Sequence, residues 1–395
     1  MQSDLERVCG ISPPQPPNTN SSGKFYVLNA SGYRALLRED WSWAVESFPF
    51  VDLPDDDIMT AYYYRVRSYR KHITYTGATD GFVVTEFLPY VPWSGKHNTI
   101  PAAAGHHIAE GRWLHDARVL DDYIAFWYSG TGSDATTYTN WIGAAAWERA
   151  LVTGNSSVLE ARVTSMAELF RSAYVPYHLS EFTDAAGTAH ECWAQSDGAD
   201  AMEVSISGSG CRPTIAAAMF AEARAIARIA RLIGNTTLAA EFEAWQRRCR
   251  EAVLRHWNPQ IDTFAVIPLS QTAANAKPNA KAKFRSRLHA DEVAAPSASC
   301  NLSALRVVNR TVAVRELLGL IPFFFSSADD GDDSLLSQTA AMQYESAWEA
   351  LFDDDGFAAP WGLRTAERRS ACYNYSWDHG DCWNGPSWPY AACRS

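Results

Sequence analysis

Residues 214–256 read TIAAAMFAEARAIARIARLIGNTTLAAEFEAWQRRCREAVLRH. Apolar residues recur every three or four positions before and after Gly234, at Ile215, Met219, Ile226, Ile229, Ile233, Leu238, Phe242, Trp245, Cys249 and Val253. This spacing places the apolar side chains on one face of a helix in each half. Gly234 suits the left-handed residue that ends many helices. The stretch therefore predicts two antiparallel helices joined by a short turn.

A second helical pair precedes this one. Residues 138–153 are rich in alanine and end at Gly154, and Ser157 with Glu160 matches a capping box for the next helix. Further helices are predicted from Pro54 onwards and over 101–112, 118–129, 311–320 and 339–353, with a strand-like segment at Gly81–Leu88. Repeated helical hairpins with few strands predict an all-α fold, layered or toroidal.

The domain organisation follows from composition. Residues 1–40 are predicted to be an extended N-terminal lead-in, since residues 10–24 are rich in Pro, Asn and Ser. Residues 41–395 are predicted to form one helical domain. Within it, residues 270–299 lack apolar periodicity and are rich in Ala, Ser, Lys and Asn, which indicates a surface insertion.

Charge and composition narrow the class of partner. The chain carries 45 acidic and 34 basic residues, so a nucleic-acid partner is not expected. It has no run of about 18 apolar residues, so no membrane partner is expected either. Its 15 Trp, 17 Tyr and 17 Phe residues could stack on sugars or simply fill a large core. The oligomeric state stays open.

Sequons and cysteines bear on localisation. Seven N-x-Ser/Thr sequons begin at Asn20, Asn29, Asn155, Asn235, Asn301, Asn309 and Asn374. The eight cysteines permit disulfides, particularly among Cys372, Cys382 and Cys393. These features favour the secretory pathway, with a cytoplasmic location as the alternative because Met1–Arg7 does not resemble a signal peptide.

Three segments combine polar and aromatic residues in a way that suits a sugar site. Glu86–Asn98 and Trp377–Pro389 are aromatic loops, and Asp197–Ser205 contains the carboxylates Asp197, Asp200 and Glu203. Cleavage of a glycosidic bond needs a carboxylic acid that donates a proton, and inversion needs a second carboxylate about 6.5–9.5 Å away. The simpler interpretation is an acidic loop in solvent and a loop packed into the core.

No metal or other cofactor is predicted. The pattern His106-His107-Ile-Ala-Glu110 departs from the HExxH spacing of zinc enzymes, and Asp329–Asp333 departs from the calcium-loop template.

Three motifs in one order resemble a known family. Asp200–Ile206, Gly362–Thr365 and Cys382–Pro389 together resemble the mannosylglycerate hydrolase-like glycoside hydrolases, which are related to processing α-glucosidase I and trehalase. The resemblance spans roughly residues 40 to 395. It implies an (α/α)6 toroid, the six-hairpin glycosidase fold, with the active site at its mouth and no cofactor.

The resemblance also implies site residues. Glu203 follows Ala201-Met202 and so falls where the family has its general acid, although relatives more often show Asp there; Asp200 is the fallback. The two aromatic loops themselves suggest sugar-binding residues at Trp93, Lys96, His97, Trp383, Asn384 and Trp388, with Arg212 beside the acidic segment; Arg112, Trp113 and Asp116 are added because they match the family's aromatic-acid element.

The general base has no counterpart in this sequence. In relatives it is a Glu some tens of residues beyond the W-x-G-P-x-W motif, whereas this sequence ends at Ser395. We therefore expect a truncated sequence and a toroid that is incomplete at its C-terminus. The favoured function is an inverting glycoside hydrolase acting on a small glycoside or oligosaccharide. The alternatives are a catalytically dead carbohydrate-binding fragment and a sugar epimerase that uses His106, His107 or His379 as proton carriers.

Overall fold

The computed structural model describes the chain in ten segments, namely residues 30–130, 134–269, 300, 307–308, 310–326, 331, 333–336, 344–360, 362–375 and 383–388. The predicted surface insertion at 270–299, residues 1–29 of the lead-in, Asp329 and His379 lie outside these residues.

The fold is mostly helical, as predicted. Its longer helices are Asp56–His72, Pro101–Gly111, Arg118–Tyr128, Ile142–Thr153, Ser157–Leu169, Pro213–Leu232 and Thr236–Leu254. Shorter helices are Arg34–Leu37, Trp41–Ser47, Val175–His178, Ile321–Phe324 and Ser346–Glu349, and a π-helical turn forms Phe170–Tyr174. Within the described residues, no helix is long and apolar enough to span a bilayer.

Small antiparallel sheets accompany the helices. The strands are β1 Ile73–Tyr75, β2 Phe82–Val84, β3 Leu179–Thr183, β4 Ala189–Gln195, β5 Gly210–Cys211, β6 Trp257–Asn258, β7 Thr263–Phe264, β8 Val307–Val308 and β9 Thr311–Val312. The sheet of order β3-β4-β5 has three strands, and each other sheet has two. The β3–β4 register runs from Leu179 opposite Trp193 to Thr183 opposite Ala189. This sheet leads directly into the acidic segment that contains Glu203.

The chain divides into two compact units. The first contains residues up to Asp134, Ile142–Met166 and Arg228–Thr236. In it, helix Pro101–Gly111 packs against helix Ile142–Thr153, and both present buried alanines. Small side chains allow helix axes to approach closely, so the Ala-rich sequence accounts for this packing.

The second unit contains Ala135–Trp141, Ala167–Ala227 and the residues from Thr237 onwards. Phe170 packs edge-on against Trp193, Phe242 and Trp245, with ring centroids 5.4–5.9 Å apart. Since Trp193 belongs to β4, this aromatic core holds the three-stranded sheet in place. It thereby fixes the base of the acidic segment that follows β4.

Disulfides connect parts of the second unit. Cys192 of β4 is bonded to Cys211 of β5, and Cys372 is bonded to Cys300. The expected pairing among Cys372, Cys382 and Cys393 is therefore wrong for Cys372, because the fold brings Cys300 beside it. Cys382 and Cys393 lie outside the described residues.

Local predictions differ from the structure in three places. Residues 30–40 form short helical turns rather than an extended lead-in, because Leu37 is fully buried. At the start of helix Ser157–Leu169 the hydroxyl of Ser156, not Ser157, hydrogen-bonds to the Glu160 carboxylate, and Asn155 Oδ1 accepts from the N–H of Ser157. Residues 311–320 form β9 and a 3-10 turn instead of an α-helix.

Candidate active site

The structure brings together the three motifs on which the family resemblance depends, all within the second unit. Thr365, which ends the Gly362–Thr365 motif, donates its hydroxyl to the carbonyl of Pro386 at 2.8 Å. Its hydroxyl oxygen accepts from the backbone N–H of Gly385 at 3.0 Å. Thr365 is fully buried. This side chain therefore fixes the bend of the Trp383–Trp388 loop.

Gly385 is needed in that loop because of close packing. A Cβ at position 385 would lie 3.0 Å from the backbone nitrogen of Asn374 and 3.0 Å from the ring of Tyr373. Contacts this short leave room for glycine alone unless the neighbours shift. The glycine of the W-x-G-P-x-W pattern thus lets the loop pass against Tyr373.

The acidic segment forms a tight turn whose central residues are Glu203 and Val204. The N–H of Ser205 donates to the carbonyl of Met202 at 3.0 Å and closes the turn. Met202 is buried in an apolar cluster that includes Leu317 and Phe357. The Ala-Met element before Glu203 therefore anchors the turn in the core.

The Trp383–Trp388 loop binds this turn through hydrogen bonds. The backbone N–H of Trp383 donates to the carbonyl of Glu203 at 2.9 Å, and its indole Nε1–H donates to Glu203 Oε2 at 3.1 Å. The indole Nε1–H of Trp388 donates to the carbonyl of Ala201 at 3.0 Å. The two tryptophans thus fix the backbone that carries the Glu203 side chain.

The two indoles stack on each other. Their ring centroids are 4.1 Å apart and their planes differ by 7°. Each ring therefore uses one face for the other tryptophan, and only the remaining faces of Trp383 and Trp388 are available to a sugar. Their predicted role as sugar-binding walls stays a prediction, while their role in shaping the acid-bearing turn is visible in the contacts.

Glu203 is buried, with 6% of its surface exposed. A general acid must carry a proton at the working pH and must be held in one direction. The hydrogen bond from Trp383 orients one carboxyl oxygen. A buried carboxyl oriented by the edge of an indole is a group that can protonate a glycosidic oxygen.

Asp200 is committed to an ion pair. Arg212 Nε donates to Asp200 Oδ2 at 2.7 Å, and both side chains are fully buried. The hydroxyl of Thr214 donates to the same oxygen. Arg212 also donates to the carbonyl of Gly208. The pair therefore joins the acidic segment to Arg212, directly before helix Pro213–Leu232, and Asp200 is less suited than Glu203 to act as the proton donor.

Glu316 belongs to this site although sequence reasoning missed it. It is 2% exposed, and its Oε1 accepts from the N–H of Ile206 at 2.7 Å. Its Oε2 accepts from the N–H of Ser207 at 3.2 Å and from the Ser207 hydroxyl. Burial raises the pKa of Glu316 above its ordinary value, against the hydrogen bond from Ser207. One feature of the sequence could have drawn attention to Glu316: it is the single acidic residue within the mostly apolar run Val312–Leu320.

Three predicted sugar-binding residues lie in the first unit, on the Glu86–Asn98 loop. Lys96 Nζ and His97 Nε2 lie 2.5 and 2.7 Å from the same Asp80 oxygen, and Asp80 is buried. Trp93 is 46% exposed and contacts Phe87 edge-on. The structure thus gives Lys96 and His97 an internal partner and leaves the Trp93 ring accessible.

Arg112, Trp113 and Asp116 also lie in the first unit. Arg112 bonds Glu148 at 3.1 Å and lies over the ring of Trp113, which is 48% exposed. Asp116 accepts from the guanidinium and the backbone N–H of Arg118, which lowers the pKa of Asp116. Asp116 thereby caps the start of helix Arg118–Tyr128. Their predicted sugar contacts remain predictions.

In the pattern His106-His107-Ile-Ala-Glu110, the structure gives His107 a role in packing. His107 Nδ1 lies 3.2 Å from the hydroxyl of Tyr123, and burial lowers the pKa of His107 to about 3. A histidine that stays neutral at physiological pH is poorly suited to carry protons, which weighs against its use in an epimerase. Among the described residues, no group of three His, Cys, Asp or Glu side chains is arranged to hold a metal.

Comparisons with known proteins give a similar solved structure and a matching family. A solved structure of a protein named "Sialidase" is similar, with a TM-score of 0.71 and 25% identity over 92% of this chain. This chain spans 30% of the length of that structure's chain. A comparison with curated proteins found no match. Residues 96–174 and 172–394 match the mannosylglycerate hydrolase MGH1-like glycoside hydrolase domain. Because the match extends over most of the chain, the protein belongs to this family of glycoside hydrolases.

Proposed function

We propose that the protein is an inverting glycoside hydrolase in which Glu203 protonates the leaving oxygen of an O-glycosidic bond. One observation carries the proposal: the carboxyl of Glu203 is buried and accepts a hydrogen bond from the Trp383 indole at 3.1 Å. Family membership supports the reaction class. The ring-shaped arrangement of helices, the inverting course and a carbohydrate partner are expectations that come with the family.

Glu203 is favoured over Asp200 as the general acid. Asp200 Oδ2 is occupied by Arg212 and Thr214, which form a buried ion pair and a hydrogen bond. A role for Asp200 as proton donor would disrupt the contact that joins the acidic segment to Arg212. Glu203 Oε2 accepts from the indole Nε1–H of Trp383, which orients the carboxyl.

In the second unit the outer faces of the stacked tryptophans are proposed sugar contacts, and in the first unit the exposed rings of Trp93 and Trp113 are, each unit taken by itself. Aromatic faces pack against the C–H faces of sugar rings. The names of the family and of the similar solved protein suggest mannosides and sialosides as test compounds.

We propose that the reaction needs no cofactor. We also propose that the protein follows the secretory pathway, and the disulfide pairs Cys192–Cys211 and Cys300–Cys372 support this location.

The test is a hydrolysis screen with α-mannosides, α-glucosides, arabinosides and a sialoside. We expect the full-length wild-type protein to release a free sugar whose first-formed anomer, observed by NMR, is opposite to that of the substrate. Glu203→Gln should abolish release while leaving the far-UV circular dichroism unchanged. Glu251→Gln is the matched control, since its side chain is 67% exposed. Release by Glu203→Gln at the wild-type rate would exclude the assignment.

A second candidate function is carbohydrate binding without hydrolysis. The observation that favours it is the Asp200–Arg212 pair, which ties up the other buried carboxylate of the acidic segment and leaves it unsuited to activate water. This candidate predicts that wild type binds a sugar in calorimetry and releases no product from any of the test compounds. Release that depends on Glu203 would exclude it.

A further inference from the structure

Val204, the residue after the proposed acid, has an unusual backbone conformation. Its φ is +59°, in the left-handed region. β-branched residues rarely occupy this region because the Cβ lies too close to the backbone. The third position of a turn with positive φ ordinarily favours glycine or asparagine. Val204 therefore needs contacts from outside the turn to stay in this conformation.

Those contacts come from side chains on both sides of the residue. The N–H of Val204 donates to Asp197 Oδ2 at 3.1 Å. The carbonyl of Val204 accepts from Asn384 Nδ2 at 3.1 Å and from the Tyr375 hydroxyl at 3.4 Å. Both polar backbone groups of this single residue are thus bound by side chains.

Asn384 lies directly beside the residue that orients the acid. Neighbouring residues Trp383 and Asn384 bind neighbouring residues Glu203 and Val204, one side-chain bond to each. Asn384 is fully buried, with 0% of its surface exposed. A side chain so enclosed is poorly placed for the direct sugar contact that the sequence suggested.

We infer that Asn384 is a positioning residue: it fixes the left-handed conformation of Val204 and thereby the direction of the Glu203 carboxyl. This inference rests on the proposed role of Glu203. If the Asn384 donor is lost, Val204 can relax to negative φ. Rotation of that backbone would move the Glu203 side chain away from the Trp383 indole.

The first test uses Asn384→Leu, which keeps the size of the side chain and removes its donor. The indole N–H signal of Trp383, observed by NMR in protein with labelled tryptophan and assigned with Trp383→Phe, reports the bond to Glu203. We expect this signal to shift and its hydrogen exchange to speed up about tenfold, the effect of roughly 1.4 kcal/mol. An unchanged Trp383 signal in folded Asn384→Leu would overturn the inference.

The second test asks whether Asn384 acts through Val204. Glycine adopts positive φ without steric cost, so it needs no side-chain hydrogen bonds to hold this conformation. In a Val204→Gly background, Asn384→Leu should therefore change the Trp383 signal much less than it does in wild type. Equal changes in both backgrounds would show that Asn384 does not act through Val204 and would overturn the inference.

A kinetic readout separates positioning from substrate binding. On a methyl glycoside that wild type cleaves, whose leaving group needs the proton, Asn384→Leu should lower kcat about tenfold or more and leave KM within about twofold, because a buried side chain makes no sugar contact. A raised KM with unchanged kcat would contradict positioning. Should Asn384→Leu fail to fold, Asp197→Ala is the second variant, since it removes the acceptor of the Val204 N–H. It should shift the Trp383 indole signal and lower kcat in the same way.

Failure of this inference and failure of the proposed function are distinguishable. Wild-type activity in Glu203→Gln would remove the acid assignment, whatever the Trp383 signal does. An inactive Glu203→Gln together with an unchanged Trp383 signal in Asn384→Leu would keep the acid assignment and exclude the positioning role.

Discussion

Replacement of Glu316 by Gln tests how the acid-bearing segment is held. The Glu316 carboxylate accepts from two backbone N–H groups and one hydroxyl, at Ile206 and Ser207. A glutamine keeps one acceptor oxygen, which can serve Ile206. Its NH2 group would then face the N–H of Ser207, which is left without its acceptor. A buried donor left without an acceptor costs about 1–3 kcal/mol.

Burial of the charged Glu316 carboxylate destabilises the folded wild type and so opposes the stabilisation by its hydrogen bonds. The stability change caused by Glu316→Gln therefore depends on pH. The pKa of Glu316 is raised by burial above its unfolded value of 4.5. The folded state therefore binds the proton more tightly, and wild type loses stability as pH rises from 4.5 through the folded pKa. Glutamine cannot ionise and escapes this loss. The destabilisation by Glu316→Gln should be about 1–3 kcal/mol near pH 4.5 and smaller near pH 7.5.

The assay is urea unfolding of both proteins at the two pH values, followed by circular dichroism. Groups common to both proteins cancel in the difference between their free energies of unfolding. Glu251→Gln is the matched control, since its partner Arg255 is 3.5 Å away at an exposed site, and it should change stability by less than about 0.5 kcal/mol. A destabilisation by Glu316→Gln that grows as pH rises would refute the reasoning.

Three further outcomes follow from the structure. Arg212→Leu should destabilise the protein by about 3–5 kcal/mol in urea unfolding, because it leaves Asp200 buried without its cation; a loss below about 1 kcal/mol would contradict the buried pair. The pKa of His107 is lowered to about 3, so its NMR signals should not titrate between pH 5 and 8, and the stability that its neutral form contributes should be lost as pH falls from 6.5 towards 3. Titration near pH 6.5 would contradict this burial. Trp93→Ala should lower sugar affinity at least about tenfold and change stability by less than about 1 kcal/mol, since Trp93 is 46% exposed; unchanged affinity in calorimetry would remove it from the sugar site.

Helical periodicity predicted the parts of the fold that depend on local sequence. The helices Pro213–Leu232 and Thr236–Leu254 begin and end within a few residues of the predicted bounds, because their apolar faces and the turn at Gly234 are encoded nearby. The strand β9 at Thr311–Val312 was predicted as helix. Its conformation depends on pairing with β8 and is not a property of its own sequence.

The sequence named candidate residues for the site but not the contacts between them. The three motifs pointed to Glu203, Trp383 and Trp388 as candidates. They could not show that Trp383 Nε1 bonds the Glu203 carboxyl, since the two residues are 180 positions apart. Glu316 escaped notice for the same reason, because its partners Ile206 and Ser207 are distant in sequence. Asn384 was expected to contact sugar, and only its complete burial indicates a different task.

The central claim is that Glu203 donates the proton to the leaving group. The most direct measurement compares Glu203→Gln with wild type on two substrates of the same sugar, a methyl glycoside and a glycosyl fluoride. Departure of methoxide needs a proton and departure of fluoride needs much less help. We predict a loss of about 10²–10⁴-fold on the methyl glycoside and less than about tenfold on the fluoride. Equal losses on both substrates, or no loss on the methyl glycoside, would contradict the account.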